Sequence, residues 1–162
     1  HYPLRRQRQM CIRDRSRDNA RTPMQWDDSP NAGFTEGEPW IMVNPNYGEI
    51  NAADQIGRED SVFSFYKELV KLRKEKPVIV NGEYRLLDPE SEDVFVYERS
   101  FHEEHLLVVC SFAEKELLWR LQEKMAGQAA KRVIGNYEGQ QWGPELMLRP
   151  YEASVWEWTK GE

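Results

Sequence analysis

The chain has few cysteines and no long apolar run, which are the features that disulfide-bonded and membrane-spanning proteins need. Its 162 residues include two cysteines, Cys11 and Cys110, so we expect no disulfide and a reduced, cytoplasmic protein. No apolar run approaches the roughly 20 residues of a membrane-spanning helix, and the longest, Leu106 to Cys110, suits a buried strand. No apolar stretch follows the arginine-rich first residues, so a secretory signal is not predicted either.

Positive charge is scarce outside the first fifteen residues. The chain has 22 basic and 28 acidic residues, and residues 1–15 hold five of the basic ones against one acid, Asp14. The remaining chain therefore carries 17 basic against 27 acidic side chains. Because nucleic-acid phosphates are neutralised by Lys and Arg, this acidic body argues against a nucleic-acid partner. A neutral ligand such as a sugar fits it better.

Residues 1–15, HYPLRRQRQMCIRDR, show neither a helical nor a strand periodicity. A basic arm that binds nucleic acid is one interpretation of this segment. The other, which we adopt, is that it is non-native, because RQMCIRDR resembles translated sequencing-adapter sequence. We therefore leave residues 1–15 out of the fold prediction.

Residues 16–59 are predicted to form a long loop, since prolines, glycines and Asn, Asp and Ser punctuate them throughout. The segment also contains Trp26, Phe34, Trp40 and Tyr47, whereas disordered linkers are poor in aromatic residues. A long loop of this kind is usually functional or packed on a larger body. We expect it to be ordered and to contact a partner surface.

Residues 60–76 are predicted to form an amphipathic helix. Apolar residues recur at three- and four-residue spacing from Val62 to Leu72, and basic residues crowd the last turn. Asp60 or Ser61 can cap the first turn, and Pro77 ends the helix.

Residues 78–160 are predicted to form an antiparallel all-β sandwich, because short apolar runs alternate with turn signals such as Asn81-Gly82 and Glu138-Gly139. The predicted strands are Tyr84–Leu87, Val94–Ser100, Leu106–Phe112, Leu117–Leu121, Lys131–Ile134, Leu146–Leu148 and Ser154–Thr159.

The most specific local pattern is SRDNARTPMQWDD, at residues 16–28. Arg17 and Arg21 lie four residues apart, and each guanidinium is a rigid fork of donors that can hold a carboxylate or vicinal sugar hydroxyls. Trp26 adds a flat apolar face of the kind on which sugar rings stack.

This region closely resembles a known family. SRDNARTPMQWDDSPNAGFTEGEPWIMVNPNYGEIN is similar to the oligo-1,6-glucosidases, dextran glucosidases and related α-glucosidases of glycoside hydrolase family 13. The similarity continues through SVFSFYKELVKLRKEKPVIVNGEY, which matches the last barrel helix of that family, and through LLVVCSF and LRPYEASVWEW of its β domain. It covers about residues 16–160.

The resemblance implies a TIM-type (β/α)8 barrel followed by a carboxy-terminal β-sandwich. Residues 16–77 would be the end of the catalytic barrel and 78–162 the sandwich domain. TIM-barrel active sites are built from loops at the carboxy-terminal ends of the strands, so the loop 16–59 could reach the sugar. In the family an arginine of the RDNAR-type motif helps to hold the non-reducing-end glucose. The matching residue is Arg21, and Arg17 is the second choice for substrate binding.

No catalytic residue is predicted within the chain. A retaining glycosidase needs two carboxylates about 5–5.5 Å apart, and the family supplies them from earlier barrel strands whose motifs have no counterpart here. Asp18, Asp27 and Asp28 fit the loop as caps or ion pairs, and the acidic cluster Glu90, Glu92 and Asp93 fits a solvated turn.

The remaining residues are weaker candidates for a metal-binding, nucleophilic or sugar-binding role. Zinc sites generally need three or four converging ligands, and His1, His102 and His105 do not make such a set, so no metal is predicted. Cys110 is predicted to be a small core residue, and Trp142, in the polar run EGQQWG, is the one aromatic residue of the β unit predicted to be exposed.

Two functions remain open. The first is the carboxy-terminal part of an α-glucosidase that hydrolyses α-1,6 or α-1,4 bonds of gluco-oligosaccharides with retention, with trehalose-6-phosphate hydrolase as the alternative within the family. The second is a stand-alone carbohydrate-binding or interaction module. Neither requires a cofactor, a nucleic acid or a membrane, and we expect a monomeric parent enzyme.

Overall fold

The computed structural model describes residues 21–159 of the chain. The predictions for residues 1–15, Arg17 and Asp18 therefore lie outside the described residues. The described residues divide into two compact units, the first ending at Val70 and the second beginning at Lys71. Within residues 21–159, no helix is both long and apolar enough to cross a membrane. The domain boundary at residue 77 stays a prediction.

Over residues 21–61 the first unit consists of turns and short helices. Its 3-10 helices are Pro30–Gly33 and Pro45–Gly48, and its short α-helix α1 is Ala52–Gln55. Asn51 caps α1 by accepting a hydrogen bond from the Asp54 N–H at 2.9 Å. The predicted loop is thus built from brief helical turns that proline and asparagine begin.

The helix α2, Val62–Glu75, confirms the amphipathic helix predicted over 60–76. Ser61 is its amino-terminal cap, since the Ser61 hydroxyl accepts the Ser64 N–H at 3.1 Å. The Gln55 side chain accepts the Phe63 N–H at 3.1 Å, so two of the four otherwise unpaired N–H groups of the first turn have partners. Asp60, the alternative cap, pairs with Arg58 instead.

The apolar face of α2 is uncovered within the described residues, because none of the side chains of this helix is buried. Phe63 is 44% exposed, and in the preceding loop Trp26 is 54% and Trp40 is 87% exposed. In the same helix Phe65 is half-buried.

The second unit contains seven described strands and two further short helices. Each predicted strand is confirmed to within two residues at either end. The strands are β1 Glu83–Leu86, β2 Val94–Phe101, β3 Glu104–Ser111, β4 Leu117–Arg120, β5 Lys131–Gly135, β6 Glu145–Leu148 and β7 Ala153–Thr159, and the helices are α3 Pro77–Asn81 and α4 Glu123–Ala126.

The strands form two antiparallel sheets, one of five strands in the order β1-β2-β3-β7-β5 and one of β4 and β6. Their facing sides enclose a core to which β2, β3, β4, β6 and β7 all contribute. The residues of strand β7 alternate in burial, with Trp156 and Trp158 buried and Val155 and Glu157 half-buried. The antiparallel sandwich is therefore confirmed.

The prediction that Trp142 is exposed is wrong. Its ring packs against the core, 5.3 Å from the ring of Trp156 and 5.8 Å from that of Trp158. Its indole N–H donates to the Gln128 carbonyl at 2.8 Å, which satisfies its one polar atom away from water. The polar neighbours of Trp142 in sequence reflect the loop around it and not its own position.

Candidate functional site

The segment that carries the predicted site is fixed to helix α1 by its backbone. The Ala52 N–H donates to the Gln25 carbonyl and the Ala53 N–H to the Trp26 carbonyl, both at 2.9 Å. The Gln25 side chain reaches back across the loop, donating to the Ile50 carbonyl at 2.7 Å and to the Asn46 side chain at 2.9 Å. Residues 25 and 26 are therefore held from both sides, although they belong to no helix or strand.

A left-handed turn shapes the loop after Trp26. Asn31, Ala32 and Gly33 have φ angles of 57°, 57° and 64°, a region that costs a non-glycine residue of order 1–3 kcal/mol. The Ala32 carbonyl accepts the Trp26 N–H at 2.9 Å, and the Asn31 side chain donates to the Thr35 and Gly37 carbonyls at 3.1 Å each. These bonds offset the strain and hold the turn against Trp26.

Gly33→Ala is expected to loosen this turn. An added Cβ would lie 2.7 Å from the Asp27 carboxylate, and residue 33 has a φ of +64°. We therefore expect the folded conformation of this turn to lose about 1–3 kcal/mol of stability. The measurement is the rate of limited proteolysis between residues 21 and 60, which should rise several-fold. Gly48→Ala is the matched control, because nothing lies within 4 Å of its added Cβ. Equal rates for the two variants would contradict the prediction.

Of the two predicted sugar-binding arginines, the structure describes Arg21. Its side chain is exposed, immediately before the segment that Gln25 and Trp26 anchor. A cleft of about 450 Å³ begins at the next residue and runs along the first turns of α2. Its walls are formed by Thr22, Pro23, Met24, Gln25, Ile50, Asn51, Ala52, Gln55, Val62, Phe63 and Tyr66.

The side chains that hold this loop were not identified from the sequence. They are amides, Gln25, Asn31, Asn51 and Gln55, that bond to backbone groups of other turns. The alternation of amides with prolines is a signal for turns. It does not predict which turns the amides join.

Asp27 in the loop and Asp60 just after it do not have the properties of a glycosidase general acid. That role needs a raised pKa. Hydrogen bonds from the Ser29 hydroxyl and then from the Ser29 N–H lower the pKa of Asp27, and the guanidinium of Arg58 lowers that of Asp60 through a hydrogen bond and its charge. These side chains shape and cap the turns.

The residues of the β domain that were considered as catalytic or metal-binding candidates are either exposed to solvent or packed within the domain. Glu90, Glu92 and Asp93 are exposed. His105 Nδ1 and Glu98 Oε1 share a hydrogen bond of 3.0 Å, and the imidazole stacks on Trp158 with 5.2 Å between ring centroids. Burial raises the pKa of the Cys110 thiol, which disfavours the thiolate. Among residues 21–159, no three potential metal ligands converge.

Two family models match consecutive parts of the chain. The α-amylase catalytic domain matches residues 4–82, and the maltogenic amylase carboxy-terminal domain matches residues 84–155. The first match begins within the segment 1–15, and the two meet at the start of strand β1.

Individual relatives agree with these matches. The oligo-1,6-glucosidase of Bacillus cereus is 46% identical over 143 residues, which is 87% of this chain and 25% of that enzyme. The trehalose-6-phosphate hydrolase of Bacillus subtilis is 37% identical over 92% of this chain and 27% of its own length.

Solved structures extend the agreement to the fold. The isomaltulose synthase of Klebsiella sp. LX3 superposes with a TM-score of 0.81 at 40% identity, over 88% of this chain and 26% of that one. The chain thus spans about a quarter of the length of the relatives it matches. The chain belongs to the α-amylase family of glycoside hydrolases, family 13, and corresponds to the end of the catalytic domain and the carboxy-terminal β domain.

Proposed function

We propose that the whole protein is a cytoplasmic, retaining α-glucosidase that hydrolyses α-1,6 or α-1,4 bonds at the non-reducing end of gluco-oligosaccharides. The oligo-1,6-glucosidase relatives, 39–46% identical over most of the chain, support this substrate class. The observation that carries the role of this chain is the anchored loop, in which Arg21 precedes a segment bonded through its backbone to α1 and through the Gln25 side chain to the Ile50 carbonyl.

Such a loop suits sugar recognition because its geometry does not depend on the ligand. A guanidinium offers a planar set of donors that can bond two neighbouring hydroxyls at once. Fixing the backbone beyond Arg21 lowers the ordering cost when a sugar binds. The nucleophile and the acid/base are proposed to come from barrel strands outside this chain, and Arg21 with Arg17 to contribute to one wall of the sugar pocket.

The role of Arg21 can be tested in a chimaera that joins residues 21–162 to the amino-terminal three quarters of the Bacillus cereus relative. Losing a charged hydrogen-bond donor costs about 1.5–3 kcal/mol. We therefore expect Arg21→Ala to lower kcat/KM for p-nitrophenyl α-glucoside about 10- to 150-fold.

The matched control for this test is Arg58→Ala in the same segment, where the guanidinium pairs with Asp54 and Asp60 at the surface. We expect Arg58→Ala to leave kcat/KM within about twofold, because exposed ion pairs contribute little. The isolated 162-residue chain should not release p-nitrophenol. Turnover by that chain, or equal losses in the two variants, would argue against the proposal.

Trehalose-6-phosphate hydrolysis is the second candidate. The trehalose-6-phosphate hydrolase of Bacillus licheniformis superposes with a TM-score of 0.85 over 92% of the chain, at 38% identity. Assaying the whole native protein on isomaltose and on trehalose 6-phosphate separates the two, because a site built for a phosphorylated sugar needs an additional cationic group.

A further inference from the structure

A polar groove of about 400 Å³ lies beside strand β6 and the loop 138–141 of the β domain. Its volume falls within the roughly 300–1,000 Å³ of small-molecule sites. Carboxylate, amide, guanidinium and thioether groups line it, on Glu138, Glu145, Gln140, Gln141, Arg149 and Met147. Because carboxylates accept hydrogen bonds, a guanidinium donates them and an amide does both, the groove offers partners to a ligand whose groups each donate and accept.

The side-chain amide of Gln140 indicates that the groove takes a ligand. Its Oε1 atom is shielded from solvent and has no hydrogen-bond partner within the part of the chain that the structure describes. Its Nε2 atom donates to the Met147 carbonyl over 3.4 Å, which is a long bond. Shielded polar atoms are nearly always paired, and the terminal torsion of glutamine is broad. This amide can therefore turn and accept a hydrogen bond from a ligand in the groove.

A strained turn follows the groove residue Arg149. The Glu152 N–H donates to the Arg149 carbonyl at 3.1 Å, which puts Pro150 and Tyr151 at the two central positions of a β-turn. Tyr151 has a φ of 55°, in a position where turns with a preceding proline favour glycine. A bulky residue is strained there, and burial does not compensate because Tyr151 is 56% exposed. Strain that is kept at an exposed side chain points to a function of that side chain.

The groove and this turn are joined before any ligand binds. The Arg149 guanidinium donates to the Glu138 carbonyl at 2.8 Å and lies 4.4 Å from the centre of the Tyr137 ring. The Tyr137 hydroxyl in turn donates to the Pro150 carbonyl at 3.1 Å. A framework that is fixed in advance loses little conformational freedom when a ligand binds.

We propose that the groove, together with the exposed ring of Tyr151 two residues after Arg149, binds a gluco-oligosaccharide. Planar polar side chains bond the hydroxyl edges of a sugar in pairs, and a tyrosine ring offers an apolar surface with a polar tip, on which the C–H face of a sugar packs. A cation suits the groove less well, because Glu145 already pairs with Arg120 at 3.0 Å. The choice of a sugar rests on the proposed function, but the site contains none of the loop residues 16–59.

Calorimetric titration of the 162-residue chain with isomaltotriose and with maltotriose tests this site. We expect saturable binding in the millimolar range, and we expect Tyr151→Gly to weaken it about tenfold or more, since aromatic anchors dominate binding. The same variant should leave the unfolding midpoint unchanged or raise it, because glycine adopts a positive φ without strain. Tyr151→Phe keeps the ring and should keep the affinity within about twofold.

Two further variants complete the test. Gln140→Leu should weaken saccharide binding several-fold without lowering stability, because it removes an acceptor that has no partner. Tyr84→Ala is the matched control, since Tyr84 is 52% exposed on strand β1, and it should not change the affinity. In the chimaera described above, Tyr151→Gly should reduce retardation in native gels that contain dextran, so the test does not depend on folding of the isolated chain.

Four results would overturn the proposal. They are no saturable saccharide binding by the folded chain, equal weakening by Tyr84→Ala and Tyr151→Gly, binding of spermidine in place of the saccharides, and unfolding of the chain by Tyr151→Gly. Saccharide binding that is lost in Arg21→Ala but kept in Tyr151→Gly would also overturn it, because the sugar then binds at the loop. These experiments measure binding and not turnover, so their failure is distinguishable from failure of the proposed function.

Discussion

Arg149→Met is expected to destabilise the β domain by about 1–3 kcal/mol, the usual cost of leaving a buried acceptor without its hydrogen-bond partner. The Glu152 side chain is fully buried, and both of its oxygens accept hydrogen bonds from the Arg149 guanidinium at 3.0 Å. The Arg149 N–H supplies one further bond at 2.9 Å. Methionine would leave the carboxylate buried with that backbone donor as its remaining bond to residue 149.

The measurement is the free energy of unfolding of the chain in urea. Arg120→Met is the matched control, because Arg120 forms a similar bond with Glu145 at 3.0 Å but is 77% exposed. Exposed pairs contribute about 0–1 kcal/mol. A loss of the same size in the two variants would show that the buried position of Glu152 is not the cause.

The Arg149–Glu152 pair also predicts that the free energy of unfolding depends on pH. Desolvation by burial raises the pKa of Glu152, but the hydrogen bonds from the Arg149 side chain and backbone, together with the charges of Arg149 and Arg132, outweigh this and leave the pKa below the ordinary value of 4.5. A carboxyl with a depressed folded pKa stabilises the protein above its unfolded pKa, and this contribution is lost as the pH falls through the folded pKa. The difference in unfolding free energy between the wild type and Arg149→Met should therefore be largest near neutral pH and shrink in acid.

Trp156→Ala should lower the free energy of unfolding of the β domain by about 3–5 kcal/mol, because it opens a cavity between the two sheets. Trp156 is 2% exposed, lies beside Trp142, and its indole N–H donates to the Ser154 hydroxyl at 3.0 Å. A domain of this size has a total stability of about 5–15 kcal/mol, so much of it would be lost. The measurement is the unfolding transition, monitored by tryptophan fluorescence and circular dichroism. We expect Trp156→Ala to lose the cooperative transition.

The control for this substitution is Trp40→Ala, which removes the same ring from a site that is 87% exposed. We expect the free energy of unfolding to change by no more than about 0.5 kcal/mol, as for most surface substitutions. A comparable loss from Trp40→Ala would indicate that ring removal acts through the unfolded chain and not through packing between the sheets.

The sequence predicted the helix and the strands well because their signals are local. The three- and four-residue spacing before Pro77 predicted the helix, and short apolar runs between turn signals predicted strands such as β7. Arg21 was identified through a family resemblance, and its role stays a prediction. Trp142 was misplaced because local polarity says nothing about a contact with Trp156, fourteen residues further along the chain.

The sequence by itself determined the elements, the acidic body and the family, because each depends on neighbouring residues or on composition. Only the tertiary structure decided how the loop is held and where Trp142 lies. The bond from the Gln25 side chain to the Ile50 carbonyl joins residues 25 positions apart, and the core between the two sheets exists only once their strands are paired. Contacts between distant residues depend on the path of the whole chain, which no local pattern encodes.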